Sequence, residues 1–406
     1  MTSDGRSQWS VARFLSTLNY FGEVPFLGSF RWVQQFLGQS PVIPGMAMGA
    51  SKKTVVVISD GSARSSEVFK ALGNRCSNDV ELITYVLGDD FPVGEASLRI
   101  HSGSERALAF RRLIRSADTV ALLDGGGDGS GDGWRASDVS KVLADVQACL
   151  NCQTMSPFTA QSGVVSSTVE RIVFDFAAPG CDLAAWGALD DVVMGGVSQG
   201  SIFLKTLEQT PGHDFQVAMF AGYVSTDNSG GFSSVRTRNF DPPFDFSGWE
   251  GVRLRVKGDG QRYKFIARNS GGWDSPAYIY SFDAVADTWL DIEVPFSAMV
   301  ATFRARSVPN APAFDPSRVF SLQLMLSKFE HDRRLNPQFM AGPFELAVSG
   351  LSVYRPRQGV PLVVVGVQDE SVRSQQQLML NEAQMNYRFI EPGSTDIIDA
   401  LMTTLT

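Results

Sequence analysis

Two hydrophobic periods divide this chain. From Thr54 to Ser59 the residues Thr-Val-Val-Val-Ile-Ser form an unbroken apolar run, the signature of a strand buried on both faces of a parallel sheet. A helix over Ser65 to Leu72, a strand over Val80 to Leu87, a helix over Glu105 to Ser116 and a strand over Thr119 to Leu123 continue the alternation. The series stops at a glycine-rich run, Gly125 to Gly133, and a helix from about Ser137 to Leu150 follows. From Thr168 to Pro356 the period is two, with Gly, Asn and Asp between short runs, which predicts antiparallel strands. After Pro356 the first pattern returns, with a strand over Pro361 to Val367, a helix over Glu370 to Gln384 and a strand over Tyr387 to Gly393.

The pattern therefore predicts α/β plus all-β: a Rossmann-like domain in two parts, 54–165 and 357–406, with a β-sandwich, 166–356, inserted between them. Such insertions are tolerated where the host's chain ends lie close together at a surface. Residues 1–53 read as an aromatic arm and linker. Two short amphipathic helices, Val11 to Phe21 and Ser29 to Leu37, are expected there, broken by Gly22, Pro25 and Gly28. Trp9, Phe14, Tyr20, Phe21, Phe26, Phe30, Trp32 and Phe36 form more aromatic surface than a free arm would leave in water. Either the arm wraps its own domain, or it docks on a partner or a membrane interface; the second reading is slightly preferred.

Composition narrows the classes. The chain has 406 residues, 44% of them apolar, enough for two or three cores. Its formal net charge of −8 argues against broad electrostatic capture of nucleic acid. Cys149 and Cys152 form a lone C-x-x-C, and His101, His213 and His331 show no ligand spacing, so no metal site is expected. No apolar run is long enough to span a bilayer. The first residues read neither as a secretory signal nor as a transit peptide, which suggests a bacterial or an already processed protein.

The densest motif runs from Trp186 to Arg236. It holds Trp-Gly-Ala-Leu-Asp-Asp-Val-Val-Met-Gly-Gly-Val-Ser, and later Ser-Thr-Asp-Asn-Ser-Gly-Gly-Phe-Ser-Ser-Val-Arg. Two Gly-Gly pairs, each followed by an alternating run, mark two tight backbone turns. With Trp249 to Gly260, Arg262-Tyr263-Lys264-Phe265, Trp289 and Val294-Pro295-Phe296, residues 168–356 resemble the complex I intermediate-associated protein 30 family. The resemblance implies a galactose-binding-like β-sandwich (jelly roll) and an assembly factor without catalysis of its own. The final Tyr387-Arg388-Phe389-Ile390-Glu391-Pro392-Gly393 resembles a segment of atypical short-chain dehydrogenase-like proteins, with Glu391 where a basic residue usually stands. The split arrangement is similar to that of the high-chlorophyll-fluorescence factors of photosystem II biogenesis.

A working dinucleotide turn places glycines where the backbone approaches the pyrophosphate. Here the three glycine positions fall on Asp60, Ala63 and Ser66. A carboxylate about 4 Å from a phosphate opposes binding by at least ~1 kcal/mol even in water. The sequence therefore favours a structural turn and no cofactor; were NAD(P) bound, Asp60, Gly61, Ser62, Arg64 and Ser65 would be the degenerate site. No Tyr-x-x-x-Lys pair occurs in the α/β segments, so no reductase acid/base is at hand.

In the β-region, adjacent Asp190 and Asp191 cannot flank a glycosidic bond. Their favoured role, shared with Asp227 and Asn228, is to hold the Gly-Gly corners by accepting backbone N–H bonds. The other reading makes Asp190, Asp191, Asn228 and Arg236 a polar face for a protein partner, or a sugar face with Trp186, Trp249, Trp273 and Trp289 as stacking platforms. Residues 304–343, rich in arginine and proline, are expected to form a long loop serving as a partner contact or lid, or a solvated insertion.

Together these readings predict a non-catalytic scaffold, assembly factor or structural linker subunit. Its expected partner is a photosynthetic, membrane-associated protein complex, and its place the thylakoid periphery of a chloroplast or cyanobacterium. Respiratory complex I assembly in the mitochondrial matrix, an NAD(P)-binding regulator or reductase, and a carbohydrate-binding module are the alternatives.

Overall fold

The computed structural model describes residues 9–21, 45, 53–59, 63–75, 80–86, 105–123, 142–144, 146, 149–150, 168–358 except 179, 211–212 and 273–274, 361–365, 370–382, 386–390, 399–401 and 403. They form two compact units, one of residues 50–172 with 354–406 and one of residues 1–49 with 173–353.

The first unit is built on a parallel sheet of five strands: β1 (Lys53–Ser59), β2 (Val80–Val86), β3 (Thr119–Leu123), and, after the other unit, β17 (Leu362–Val365) and β18 (Tyr387–Ile390). Their order is β18-β17-β3-β1-β2. Alternate residues sort onto opposite faces, as the strand period requires. Val56, Ile58, Val120, Leu122 and Val364 pack with Phe110 and Ile114 of the helix Glu105–Ser116, and with Leu143 and Val146. Val55, Val57, Ala121, Leu123 and Val363 pack with Leu72 of the helix Ala63–Arg75 and with Leu401. Covering both faces is why the β1 run is apolar throughout.

The strand order corrects one detail of the Rossmann-like expectation. Among the described residues, the strand after β2 crosses back to the far side of β1, giving the doubly wound order 2-1-3-4-5. The dinucleotide-binding fold instead runs 3-2-1-4-5-6.

Asp118, at the mouth of β3, joins the two segments of this unit. Arg355 Nη1 donates to its Oδ1 at 2.7 Å and Nη2 to its Oδ2 at 2.6 Å. The N–H groups of Thr54 and Gln358 donate to the same carboxylate, each at 2.9 Å. Burial alone would raise this carboxyl's pKa; the Arg355, Gln358 and Thr54 bonds hold it below the usual range.

The second unit is a sandwich of two sheets. One has seven strands in the order β14-β13-β11-β10-β15-β8-β5: β5 is Trp186–Ala188, β8 Phe232–Thr237, β10 Arg262–Arg268, β11 Ala277–Asp283, β13 Val300–Phe303, β14 Arg306–Ser307 and β15 Ser321–Ser327. The other runs β12-β9-β16-β7-β6, with β4 (Thr168–Asp175) beside β16; β6 is Gln199–Thr210, β7 His213–Val224, β9 Gly251–Lys257, β12 Trp289–Pro295 and β16 Gly342–Pro356. Phe220 of β7 and Tyr263 of β10 meet across the core, ring centroids 6.4 Å apart. Each fully buried aromatic of this kind stabilises the sandwich by roughly 1.5–3 kcal/mol.

β15 corrects the reading of residues 304–343 as one long loop. Leu322, Leu324 and Leu326 face the core, while β15 hydrogen-bonds both β8 and β10 as an interior strand of its sheet. The flanking Pro and Arg residues disguised a short alternating strand.

The arm's first helix belongs to the sandwich unit. α1 (Val11–Phe21) begins at Ser10, whose Oγ accepts the N–H of Arg13 at 3.3 Å. Its expected partner helix, 29–37, lies outside the described residues.

Candidate functional site

Two Gly-Gly corners converge on one carboxylate. Asp191 Oδ1 accepts the N–H of Ser198 at 2.9 Å; Oδ2 accepts the Ser198 hydroxyl at 2.7 Å, the Gly231 N–H at 2.8 Å and the Phe232 N–H at 3.3 Å. A methyl group on Gly196 would sit 2.3 Å from Asp191 Cγ, and one on Gly230 would sit 2.5 Å from its Oδ2. Both corners are glycine because the carboxylate fills the space a Cβ would need. Gly195 and Gly231 also take positive φ, of 93° and 139°.

Asp190 ties the same corner to the arm. Its Oδ2 accepts Gly200 N–H at 2.9 Å and Arg13 Nη2 at 2.6 Å, and its Oδ1 accepts the Ser233 hydroxyl at 2.7 Å. Burial raises the Asp190 pKa, against the Gly200, Ser233 and Arg13 contacts that lower it. Both carboxylates are 1% exposed and Arg236 is 3% exposed, so none of the three meets a partner as the docking-face reading required. Arg236 instead donates to Ser321 Oγ at 3.2 Å and to Asn239 Oδ1 at 2.8 Å. Asn228 is exposed in the left-handed region, φ 53°, and Asp227 is exposed beside it.

The arm aromatics that the structure describes are turned onto this unit. Trp9 Nε1 donates to the Val192 carbonyl at 2.8 Å, and Phe14 packs on Trp9 at 5.9 Å between centroids. Tyr20 donates to the Ala184 carbonyl at 2.8 Å, and Arg238 lies 4.1 Å over its ring. Phe21 is buried, with Arg236 at 5.7 Å. Trp9, Tyr20 and Phe21 thus contact this unit, while Trp9 remains 41% exposed. Phe26, Phe30, Trp32 and Phe36 lie outside the described residues.

Of the degenerate nucleotide turn, Asp60, Gly61 and Ser62 lie outside the described residues, while Arg64 and Ser65 fall in the first turn of the helix Ala63–Arg75. Trp186 and Trp249 are buried, and Trp289 packs against Phe215 at 5.8 Å with Arg255 over its ring at 5.6 Å. Trp273 lies outside the described residues. Among the described residues no group of His, Cys, Asp or Glu is arranged to hold a metal ion, and no helix is long and apolar enough to cross a membrane.

The feature that sequence reading missed is a pocket of about 350 Å³ on the outer face of the seven-stranded sheet. Its floor is made by side chains that alternate with core residues: Lys264, Ile266 and Arg268 of β10, Ala277 and Ile279 of β11, Gln323 and Met325 of β15. Ile266, Ala277, Ile279 and Met325 form one apolar cluster. Leu189, Met194, Gly230 and Phe232 close one end; Phe303, Arg304, Phe329 and Glu330 form part of another wall.

Two hairpin tips set that second wall. Arg304 and Ala305 have φ of 52° and 59°, and Asp332 and Arg333 of 54° and 63°, pairs of left-handed residues suited to two-residue turns. The tips are latched, since Asp332 N–H donates to the Ala305 carbonyl at 2.9 Å and its Oδ1 accepts Ser307 N–H at 2.8 Å. Lys264 Nζ donates to the Glu330 carbonyl at 2.6 Å and to the Phe329 carbonyl, fixing the second tip to β10. Burial pushes the Lys264 pKa down to about 8, opposed by Glu330, and pushes Arg268 down to about 10. Glu330 accepts from Arg262 Nε at 2.9 Å and from the Ser281 hydroxyl. Among the described residues no histidine lines the pocket, and its carboxylates Asp191 and Glu330 are engaged in holding the fold.

Residues 174–348 match the family model of complex I intermediate-associated protein 30 (CIA30). The CIA30 match thus covers the sandwich, including both Gly-Gly corners and the pocket. An uncharacterized protein of Schizosaccharomyces pombe is 27% identical over 175 residues, 40% of this chain and 75% of the relative. Among solved structures, the family 11 carbohydrate-binding module of a cellulosomal cellulase of Clostridium thermocellum aligns at 20% identity and a TM-score of 0.32, over 45% of this chain and 93% of the module. An exo-beta-agarase aligns at 11% identity and a TM-score of 0.31, over 46% of this chain and 25% of the agarase.

Proposed function

We propose that this protein is a non-catalytic assembly factor that binds a protein partner in a membrane-associated complex. The observation that carries the reading is the CIA30 match over the sandwich. The chemistry of the pocket supports it, because an apolar floor with fully engaged carboxylates offers recognition and lacks a free general base. The burial of Trp186 and Trp249 weighs against these two as sugar-stacking platforms.

Within this reading the partner is a photosynthetic complex at the thylakoid surface of a chloroplast or cyanobacterium, with the doubly wound α/β unit as a cofactor-free scaffold. The split domain pattern along the chain supports that choice. The second reading, respiratory complex I assembly in the mitochondrial matrix, is favoured by the name of the matching family.

Mild-detergent native electrophoresis of the tagged protein from its own cells, with mass spectrometry of each band, tests the proposal. Co-migration with early photosynthetic intermediates supports an assembly factor, and with mature complexes a resident linker subunit. Co-migration with complex I intermediates selects the second reading. A protein that migrates alone and carries nucleotide overturns both.

A further inference from the structure

The pocket on the seven-stranded sheet combines an apolar floor with a positively charged rim, on a chain whose net charge is −8. The rim is the pair of latched hairpin tips. Arg304 lines the pocket, and Arg306, Arg333 and Arg334 are exposed on the same two tips. Two carboxylates share this region, Asp332, which accepts the Ser307 N–H and hydroxyl at 2.8 and 2.7 Å, and Glu330, bound by Arg262 and Ser281; the four arginines outnumber them. Lys264 and Arg268, two positions either side of Ile266 on β10, add two cations to the floor. Met194 is 58% and Phe329 39% exposed, so apolar surface continues from the pocket onto its walls.

We propose that this pocket is the docking site for an acidic segment of a partner polypeptide, which sets one aliphatic or methionine side chain on the floor and its carboxylates against the arginine rim. The inference rests on the reading of the protein as one that binds a protein partner. Three features fix the occupant's chemistry. The cavity, of about 350 Å³, exceeds the volume of a single aliphatic side chain and leaves room for flanking backbone. Guanidinium groups favour carboxylates because their fork of donors matches both oxygens. Among the described residues the apolar side chains of the floor are aliphatic or methionine, Ile266, Ala277, Ile279 and Met325, which suits one aliphatic or methionine side chain. On a chain of net charge −8, attraction comes from these local cations and is confined to roughly one Debye length, ~8 Å at physiological salt.

The test uses the full chain and fluorescein-labelled ten-residue peptides followed by polarisation. One peptide is Glu/Asp-rich with a central leucine, a second has serine for that leucine, and a third has lysine for every acid. Anionic phosphatidylglycerol vesicles and a single-stranded oligonucleotide are run beside them. The acidic leucine peptide is expected to bind at least tenfold tighter than either other peptide. Its affinity is expected to fall more than tenfold in the double variant Arg333→Glu with Arg334→Glu, which alters only exposed residues and leaves the thermal melt unchanged, and also in Met325→Glu. Equal binding of the serine or lysine peptide, or capture of vesicles or oligonucleotide with no peptide binding, overturns the proposal. Native electrophoresis of the double variant separates the two claims. Co-migration that persists in that variant refutes the pocket and leaves the assembly reading standing; tight peptide binding by a wild-type protein that joins no complex does the reverse.

Discussion

Replacing Asp191 by asparagine tests whether one carboxylate holds both Gly-Gly corners. The Ser198 N–H lies against one oxygen at 2.9 Å and the Gly231 N–H against the other at 2.8 Å. An amide has a single acceptor oxygen, so in either orientation its NH2 group points at one of these N–H donors. A buried donor left without an acceptor costs about 1–3 kcal/mol, and the two facing donors repel as well, so Asp191→Asn is expected to lose about 2–3 kcal/mol. Asp191→Ala removes both acceptors, stranding Ser198 and Gly231, and the same reasoning gives about 3–5 kcal/mol. The exposed neighbour Asp227 serves as control, and Asp227→Asn is expected to stay within about 0.5 kcal/mol. Urea unfolding followed by tryptophan fluorescence reads the result, since Trp186 and Trp249 are buried in the sandwich. An Asp191→Asn shift below about 0.5 kcal/mol, equal to the control, would show that the carboxylate does not set the corners.

Three further outcomes are expected. Arg13→Ala leaves the buried Asp190 carboxylate without its cation and should cost about 1–2 kcal/mol, less than a fully buried pair because Arg13 is 33% exposed. Since the Asp190 pKa is already raised and would rise further, protonation favours the folded state, so the deficit should shrink as the pH is lowered; urea midpoints at pH 8 and pH 5 check it. Lys264, pushed down to about 8, binds its proton less tightly folded than unfolded, so it contributes stability that grows from about pH 8 to its unfolded value of 10.5; Lys264→Met should flatten that part of the stability profile. Asp118, held below its usual range, behaves in the opposite sense: its contribution is present above its unfolded pKa of 3.8 and is lost as the pH falls through the lower folded value, and Asp118→Asn should cost about 3–5 kcal/mol at pH 7 in calorimetry of the full chain.

The parts of the fold that could be read from sequence are those written in contiguous residues. The apolar run of β1, the Val11–Phe21 and Glu105–Ser116 helices and the two Gly-Gly turns announce themselves locally. What joins them does not. Asp191 and Gly231 stand 40 positions apart, so that one carboxylate serves both corners appears only in space. The pocket is assembled from β8, β10, β11, β13 and β15, with β10, β11 and β15 giving alternate residues such as Ile266, Ile279 and Met325. Single apolar residues on the outward face of a strand carry no signal until the strands lie side by side. β15 was hidden for a related reason, because Gln323 and Ser327 point out of the core and read as loop composition between prolines. The arm's destination was equally hidden, since an amphipathic helix shows that it covers something without naming what.

The pairing of Asp118 with Arg355 spans 237 positions of chain. A ribosome adding about 5–20 residues each second needs about 12–47 s to cross that interval. Throughout it, β1, β2 and β3 exist with the free edge of β3 still waiting for β17, while every strand of the sandwich emerges and can pair. The inserted unit can therefore mature first, and an incomplete parallel sheet is what a nascent-chain chaperone would meet. Moving the α/β segments together in a circularly permuted gene should shorten that exposure and speed appearance of the protease-resistant host sheet.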